Sequence, residues 1–224
     1  MKPRLKLAET LTPDGTRLSL HSHDGHFCIR VNGVDLMHSS GVAAELQLGE
    51  FGLEGLAGRP VRILIGGLGL GFTLKAVLAK AAPEASVDVA EPFPAVVEWN
   101  RTHLTGLNGA LLVDPRVKIL SAEVAHVISH AAPAPYDVVL LDIDNGPTAM
   151  VQANNSGLYR AQGIQRIATA LRPGGRAAFW SAKPDHSFET RLAKAGFKVT
   201  SVPAKVYATA KRTTSIIYLA TKAG

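Results

Sequence analysis

Val61 to Ile65 is a short apolar stretch rich in β-branched residues that runs directly into Gly66-Gly67-Leu68-Gly69-Leu70-Gly71. Helical spacing follows from Thr73 to Ala82 and stops before Pro83. A buried strand, a turn almost without side chains and a helix, in that order, commit a chain to strand–helix–strand units. The pattern then repeats. Strands are predicted at Ser86–Ala90, Val117–Leu120, Tyr136–Leu141 and Arg176–Trp180. Helices are predicted at Pro94–Leu104, Val124–His130, Gly163–Leu171 and Phe188–Ala195, the third closed by Arg172-Pro173-Gly174-Gly175 and the fourth by Gly196. Continuous apolar strands alternating with helices imply a parallel sheet covered on both faces. Phe197–Val202 and Thr213–Ala220 have only a loop between them, so they should pair antiparallel. The fold class is therefore α/β, a Rossmann-like, doubly wound, mostly parallel sheet with a C-terminal antiparallel hairpin.

The first forty residues follow a different rule. Arg17–Ser22, Phe27–Val31 and Val34–Met37 read as short strands joined by the turn dipeptides Asp24-Gly25 and Asn32-Gly33. Two domains are expected, a small N-terminal β meander over 1–40 and the Rossmann-like domain over 41–224. A glycine-interrupted helix from Val42 to about Leu56 would join them.

Composition narrows the class. With 46% hydrophobic and 19% charged residues among 224, the chain is globular and not disordered. The formal charge of +6 comes from scattered Lys and Arg without an aromatic stripe, so a solvated basic surface is expected in preference to a nucleic-acid groove. Apolar runs are strand-length and broken by glycine, so no membrane span is expected. Met1 to Glu9 is charged, which predicts no signal peptide, and the single cysteine, Cys28, suits a cytoplasmic location. His21 and His23 would share a strand face as a possible metal pair, but no third ligand is evident and no metal is expected.

Candidate site residues lie where the strands end. The turn Gly66, Gly67, Leu68, Gly69 and Gly71 lets backbone approach a ligand closely. The dinucleotide pattern fails at Phe72, and the compact glycine spacing better suits an adenosyl sulfonium than a pyrophosphate. Glu91 ends its strand opposite this turn, where a carboxylate accepts from both ribose hydroxyls. Ala122 and Glu123 follow the next strand, where Glu123 could accept from an adenine amino group or favour the following helix N-terminus. Leu140-Leu141-Asp142-Ile143-Asp144-Asn145 is the sharpest feature, a buried strand ending in two carboxylates and an amide. Asp142 is the candidate to orient a nucleophilic amine or take its proton, with Asp144 its rival.

The stretch from Val61 to Ala182 resembles the spermidine synthase family, the polyamine aminopropyltransferases, within the class I S-adenosylmethionine-dependent methyltransferase-like fold. The resemblance rests on Ile65–Gly71, Glu91, Asp114-Pro115-Arg116-Val117 leading to Glu123, Tyr136–Asp142, Asn154–Tyr159 and Leu171–Gly175. The small N-terminal β segment adds to it. The resemblance implies a nucleoside held by Glu91 and Glu123, with Asp142 as the catalytic acid-base. It also implies an acceptor pocket involving Glu45, Asn145 and Tyr159, and a homodimer. S-adenosylmethionine or its decarboxylated form is the implied co-substrate, and a small amine the implied acceptor. The chain departs from the family pattern in three places. The glycine turn has no acidic residue, Asn145 stands where a second Asp is usual, and Ala43 where a Tyr would line the amine pocket. Aminopropyl transfer to an amine is the expected function. Methyl transfer from S-adenosylmethionine to an unknown small acceptor and nucleoside binding without catalysis are the alternatives.

Overall fold

A computed structural model describes residues 3–12, 14–56, 58–143, 153–205 and 215–224. The chain opens with strands β1 (Leu5–Leu11), β2 (Arg17–His23), β3 (His26–Val31) and β4 (Val34–His38), which form an antiparallel sheet in sequential order. Both predicted turns hold. Asp24 and Gly25 have φ of 48° and 80°, and Asn32 and Gly33 have 50° and 82°, the mirror-image turn that matches strand twist. β1 has no counterpart among the predicted strands. It is an edge strand whose Leu5 and Leu11 are 60% and 63% exposed, so its apolar residues do not report burial. Further into the sheet, Leu18, Leu20 and Ile29 join the same apolar cluster as the large sheet.

Helix α1 (Ala43–Gly52) leads into the alternating part. There follow β5 (Arg62–Gly66), α2 (Phe72–Lys80), β6 (Ser86–Ala90), α3 (Pro94–Thr102), α4 (Thr105–Asn108), β7 (Val117–Leu120), α5 (Val124–Ser129) and β8 (Tyr136–Leu141). The chain ends with α6 (Ala161–Ala170), β9 (Leu171–Ser181), α7 (His186–Lys194), β10 (Phe197–Ala204) and β11 (Ser215–Lys222). The seven strands stand in the order β10-β11-β9-β8-β5-β6-β7. β7, β6, β5, β8 and β9 are parallel, while β11 pairs antiparallel with both β9 and β10. The predicted strand at Arg176 begins earlier, at Leu171. Tyr136 pairs with Leu171 and Val138 with Arg176, so Arg172–Gly175 forms a bulge inside the strand and not a helix-to-strand loop.

Strand alternation divides the core. Ile63, Ile65, Val138, Leu140 and Ala178 face Leu48 of α1, Leu74 and Val77 of α2, and Trp99 of α3. Leu64, Val139, Leu141, Ala177 and Phe179 face Ile128 of α5, Ile164 and Ile167 of α6, and Phe188 of α7. The chain runs outward from β5 to β6 and β7, then returns to place β8 on the other side of β5. That reversal opens a crevice beyond the carboxyl ends of β5 and β8, where ligands of such sheets bind.

Candidate functional site

The glycine turn and the tip of β8 meet across this crevice. Asp142 N–H donates to the Gly66 carbonyl at 3.0 Å, and Gly67 N–H to the Ala90 carbonyl at 2.9 Å. Gly67 has φ of 88°, and a Cβ there would stand 2.5 Å from the Asp142 carbonyl oxygen, so both sterics and backbone conformation require glycine. The closeness at Gly69 has another source. A Cβ there would meet the Met37 sulfur of β4 at 2.7 Å, so the N-terminal sheet crowds the turn from its own side. A Cβ on Gly66 would meet Val124 of α5 and Leu141, and one on Gly71 would stand 3.0 Å from Asn100 Oδ1.

Glu91 is 5% exposed, just past β6. Its Oε2 accepts from Leu68 N–H and its Oε1 from Phe93 N–H, both at 3.0 Å. The carboxylate thus ties the glycine turn to the start of α3. Burial raises its pKa, against the lowering effect of those amides. Each oxygen keeps a further lone pair for a ligand hydroxyl. Ala122 is half-buried, and Glu123 is exposed at the N-cap of α5 without a side-chain cap bond. The two stand at the rim of the crevice, beyond β7.

Asp142 is half-buried as a residue, with its carboxyl group buried on the side of α1 and α2. Thr73 Oγ donates to Asp142 Oδ2 at 2.6 Å, and the same hydroxyl lies 3.2 Å from the carbonyl oxygen of Glu45 in the first turn of α1. Glu45 Oε2 is buried with no hydrogen-bond partner among the described residues. Desolvation pushes Glu45 up to about 8, helped by the nearby Asp142 charge. Desolvation also pushes Asp142 up to about 6, against the Thr73 hydroxyl. Two desolvated carboxyls that feel each other's charge titrate as a pair. An ammonium placed here would supply both the charge and the donors that the pair lacks.

Tyr159 lies in the aromatic core with Phe179 and Phe188, and its hydroxyl donates to the Ile143 carbonyl at 3.1 Å, one residue past Asp142. Asp144 and Asn145 lie outside the described residues. Three polar residues that sequence reasoning did not single out complete the site. Thr73 joins the Asp142 carboxyl to the backbone of Glu45, while Asn100 Nδ2 donates to the Gly69 carbonyl at 2.8 Å and Asn108 Nδ2 to the Leu70 carbonyl. Buried asparagines that satisfy turn carbonyls have no local signature, since their partners are remote in sequence. Among the described residues no group of His, Cys, Asp and Glu could hold a metal ion, and no helix is long and apolar enough to cross a membrane.

No protein-family model matches the chain. It is 31% identical over 124 residues to a polyamine aminopropyltransferase of Mycobacterium tuberculosis, which is 54% of this chain and 23% of that protein. It is 30% identical over 165 residues to polyamine aminopropyltransferase 2 of Streptomyces coelicolor, 71% of this chain and 28% of that protein. The chain thus spans about a quarter of the length of the curated relatives it matches. Among solved structures, spermidine synthase from Thermotoga maritima superposes with a TM-score of 0.75 at 18% identity, over 97% of this chain and 72% of that one. Human methyltransferase-like protein 13 in complex with SAH superposes with a TM-score of 0.57 at 23% identity, over 83% of this chain and 79% of that one. Over half or more of its length the chain is similar in sequence to polyamine aminopropyltransferases, and over nearly all of it the fold is that of spermidine synthases, a methyltransferase-like fold.

Proposed function

We propose that the chain transfers an aminopropyl group from decarboxylated S-adenosylmethionine to an amine. The observation that carries this reading is the Glu45–Asp142 carboxyl pair, buried without a basic partner beside the glycine turn. Kinship with polyamine aminopropyltransferases supports it.

Glu91 and the backbone of Gly66, Gly67, Leu68, Gly69 and Gly71 would hold the ribose side of the nucleoside, with Ala122 and Glu123 toward its base. The bound sulfonium supplies a carbon activated for displacement. Asp142 orients the acceptor amine and takes its proton, directly or through one water. A carboxyl raised to about 6 is still largely ionised at neutral pH and is a stronger base than an ordinary aspartate. As the nitrogen–carbon bond forms, the carbon–sulfur bond breaks and its electron pair leaves on sulfur as a neutral thioether. The proton lost by nitrogen ends on the carboxylate. Glu45 holds the ammonium form before that transfer, with Asn145 the further candidate on the acceptor side and Asp144 the alternative base; Tyr159, buried in the aromatic core, supports the backbone just past Asp142 instead. Most of the rate then comes from orientation and exclusion of water.

Residues 1–40 form, in this reading, an appendage that closes over the turn through Met37 and contributes to a homodimer. Buried Cys28, its thiol pushed up to about 11 by desolvation, suits a reducing cytoplasm. One observation favours the second reading, methyl transfer from S-adenosylmethionine: the turn carries Leu68 and Leu70 and no acid to meet an aminopropyl amine. The test is the product. The chain is incubated with each sulfonium and a panel of amines. Methylthioadenosine supports aminopropyl transfer, adenosylhomocysteine supports methyl transfer, and nucleoside binding without either product leaves a binding role.

A further inference from the structure

Trp180 stands beside the carboxyl pair. Leu141 of β8 pairs with Phe179 of β9, so Trp180 lies one position further along the neighbouring strand, level with Asp142. Alternation puts Asp142 on the face of Leu140 and Trp180 on the face of Ala178, and these two share one apolar cluster. Trp180 packs against that cluster, beneath the helix that carries Glu45. Among the described residues its Nε1 is buried with no hydrogen-bond partner, as is Glu45 Oε2. Buried indole N–H groups normally find an acceptor. A ligand that accepts from the indole N–H and donates to the carboxyl would satisfy both groups.

An indole N–H can only donate, and an ammonium can only donate, so the two cannot hydrogen-bond each other. A pair of carboxyls that keeps one proton offers about one negative charge, enough for one ammonium. We propose that Trp180 is a specificity-determining residue of the acceptor subsite, selecting an amine with one ammonium and a neutral hydrogen-bond acceptor such as a hydroxyl or ether oxygen. This rests on the reading of the Glu45–Asp142 pair as the amine site.

The test is calorimetric binding of 4-aminobutan-1-ol, butylamine and 1,4-diaminobutane to the full chain saturated with methylthioadenosine. The amino alcohol should bind about tenfold tighter than butylamine, the scale of one hydrogen bond to a buried donor. Trp180→Phe keeps the ring and removes the donor, and should shrink that gap to under about twofold while leaving butylamine affinity unchanged. Trp180→His restores an N–H and should recover part of the preference; thermal melts check that both variants fold. An unchanged gap in Trp180→Phe, tightest binding of the diamine to the unsubstituted chain, or equal weakening of all three amines would overturn the assignment. So would absence of amine binding. Transfer to the diamine with methylthioadenosine release would overturn it while upholding the aminopropyl reading. The expected binding pattern without methylthioadenosine release from the decarboxylated sulfonium would do the reverse.

Discussion

The two ends of the parallel sheet treat charge in opposite ways. Toward the amino ends of β5, β6 and β8, Arg62 donates to Asp88 Oδ2 at 2.8 Å, and Tyr136 donates to the same oxygen at 2.8 Å. The Arg62 guanidinium lies 4.1 Å over the Tyr136 ring, Arg62 N–H donates to Asp137 at 2.7 Å, and Arg172 reaches Asp137 at 3.2 Å. Each of these carboxylates has a cation. At the carboxyl ends Glu91 is buried and Glu45 and Asp142 are half-buried, yet among the described residues none pairs with a basic side chain. Charge that is satisfied internally stabilises the fold. Charge buried without a counter-ion costs stability and is retained where a ligand completes it.

Asp142→Asn should break this contrast most sharply. It keeps shape and removes the base, so turnover should fall on the order of 10²–10⁴-fold with little change in nucleoside affinity. Full turnover in Asp142→Asn with loss in Asp144→Asn would move the base to Asp144.

Glu45 is the next lever. Burial raises its carboxyl in the folded protein to about 8 from an ordinary 4.5, so the folded state holds this proton more tightly than the unfolded chain does. The resulting stability is fully present below about pH 4.5 and is lost as pH rises through about 8, at roughly 1.4 kcal/mol for each pH unit between those two values. Thermal melts between pH 5 and 9 should show stability declining by a few kcal/mol, and Glu45→Gln should flatten that slope. Parallel pH profiles for the two proteins would show that Glu45 is not a buried acid.

Glu91→Ala should weaken nucleoside binding by about 1.5–3 kcal/mol for each charge-assisted hydrogen bond lost. Calorimetry with methylthioadenosine measures it, and unchanged affinity in a folded variant would assign Glu91 to tying the turn alone. At the opposite end, Asp88→Asn should cost about 2 kcal/mol of stability, or roughly 4–8 °C, and leave nucleoside affinity untouched. A loss of nucleoside binding there would erase the distinction between the two ends.

Sequence legibility follows the range of the interactions involved. Ser86–Ala90, Val117–Leu120 and Tyr136–Leu141 are recovered residue for residue, because buried parallel strands are continuous apolar runs punctuated by glycine and proline. The hairpin turns are equally local, written in Asp24-Gly25 and Asn32-Gly33. β1 escapes because an edge strand with exposed leucines has no buried face to announce it, and the Arg172–Gly175 bulge escapes because its glycines and proline read as an ordinary loop. Glu91 and Asp142 are legible as acids at strand ends beside a glycine turn.

What the amino-acid sequence determined by itself, then, is the order of elements and the edge of the sheet at which polar residues gather, since both depend on neighbours in the chain. Only the tertiary structure decided which of those residues meet. It brought Glu45 of α1 and Thr73 of α2 to Asp142 just past β8, clamped the glycine turn with Asn100 and Asn108, and set Trp180 on the strand next to Asp142. The physical reason is that an orphaned oxygen or indole N–H is a property of the three-dimensional surroundings, fixed by how helices cross a sheet and not by the residues on either side.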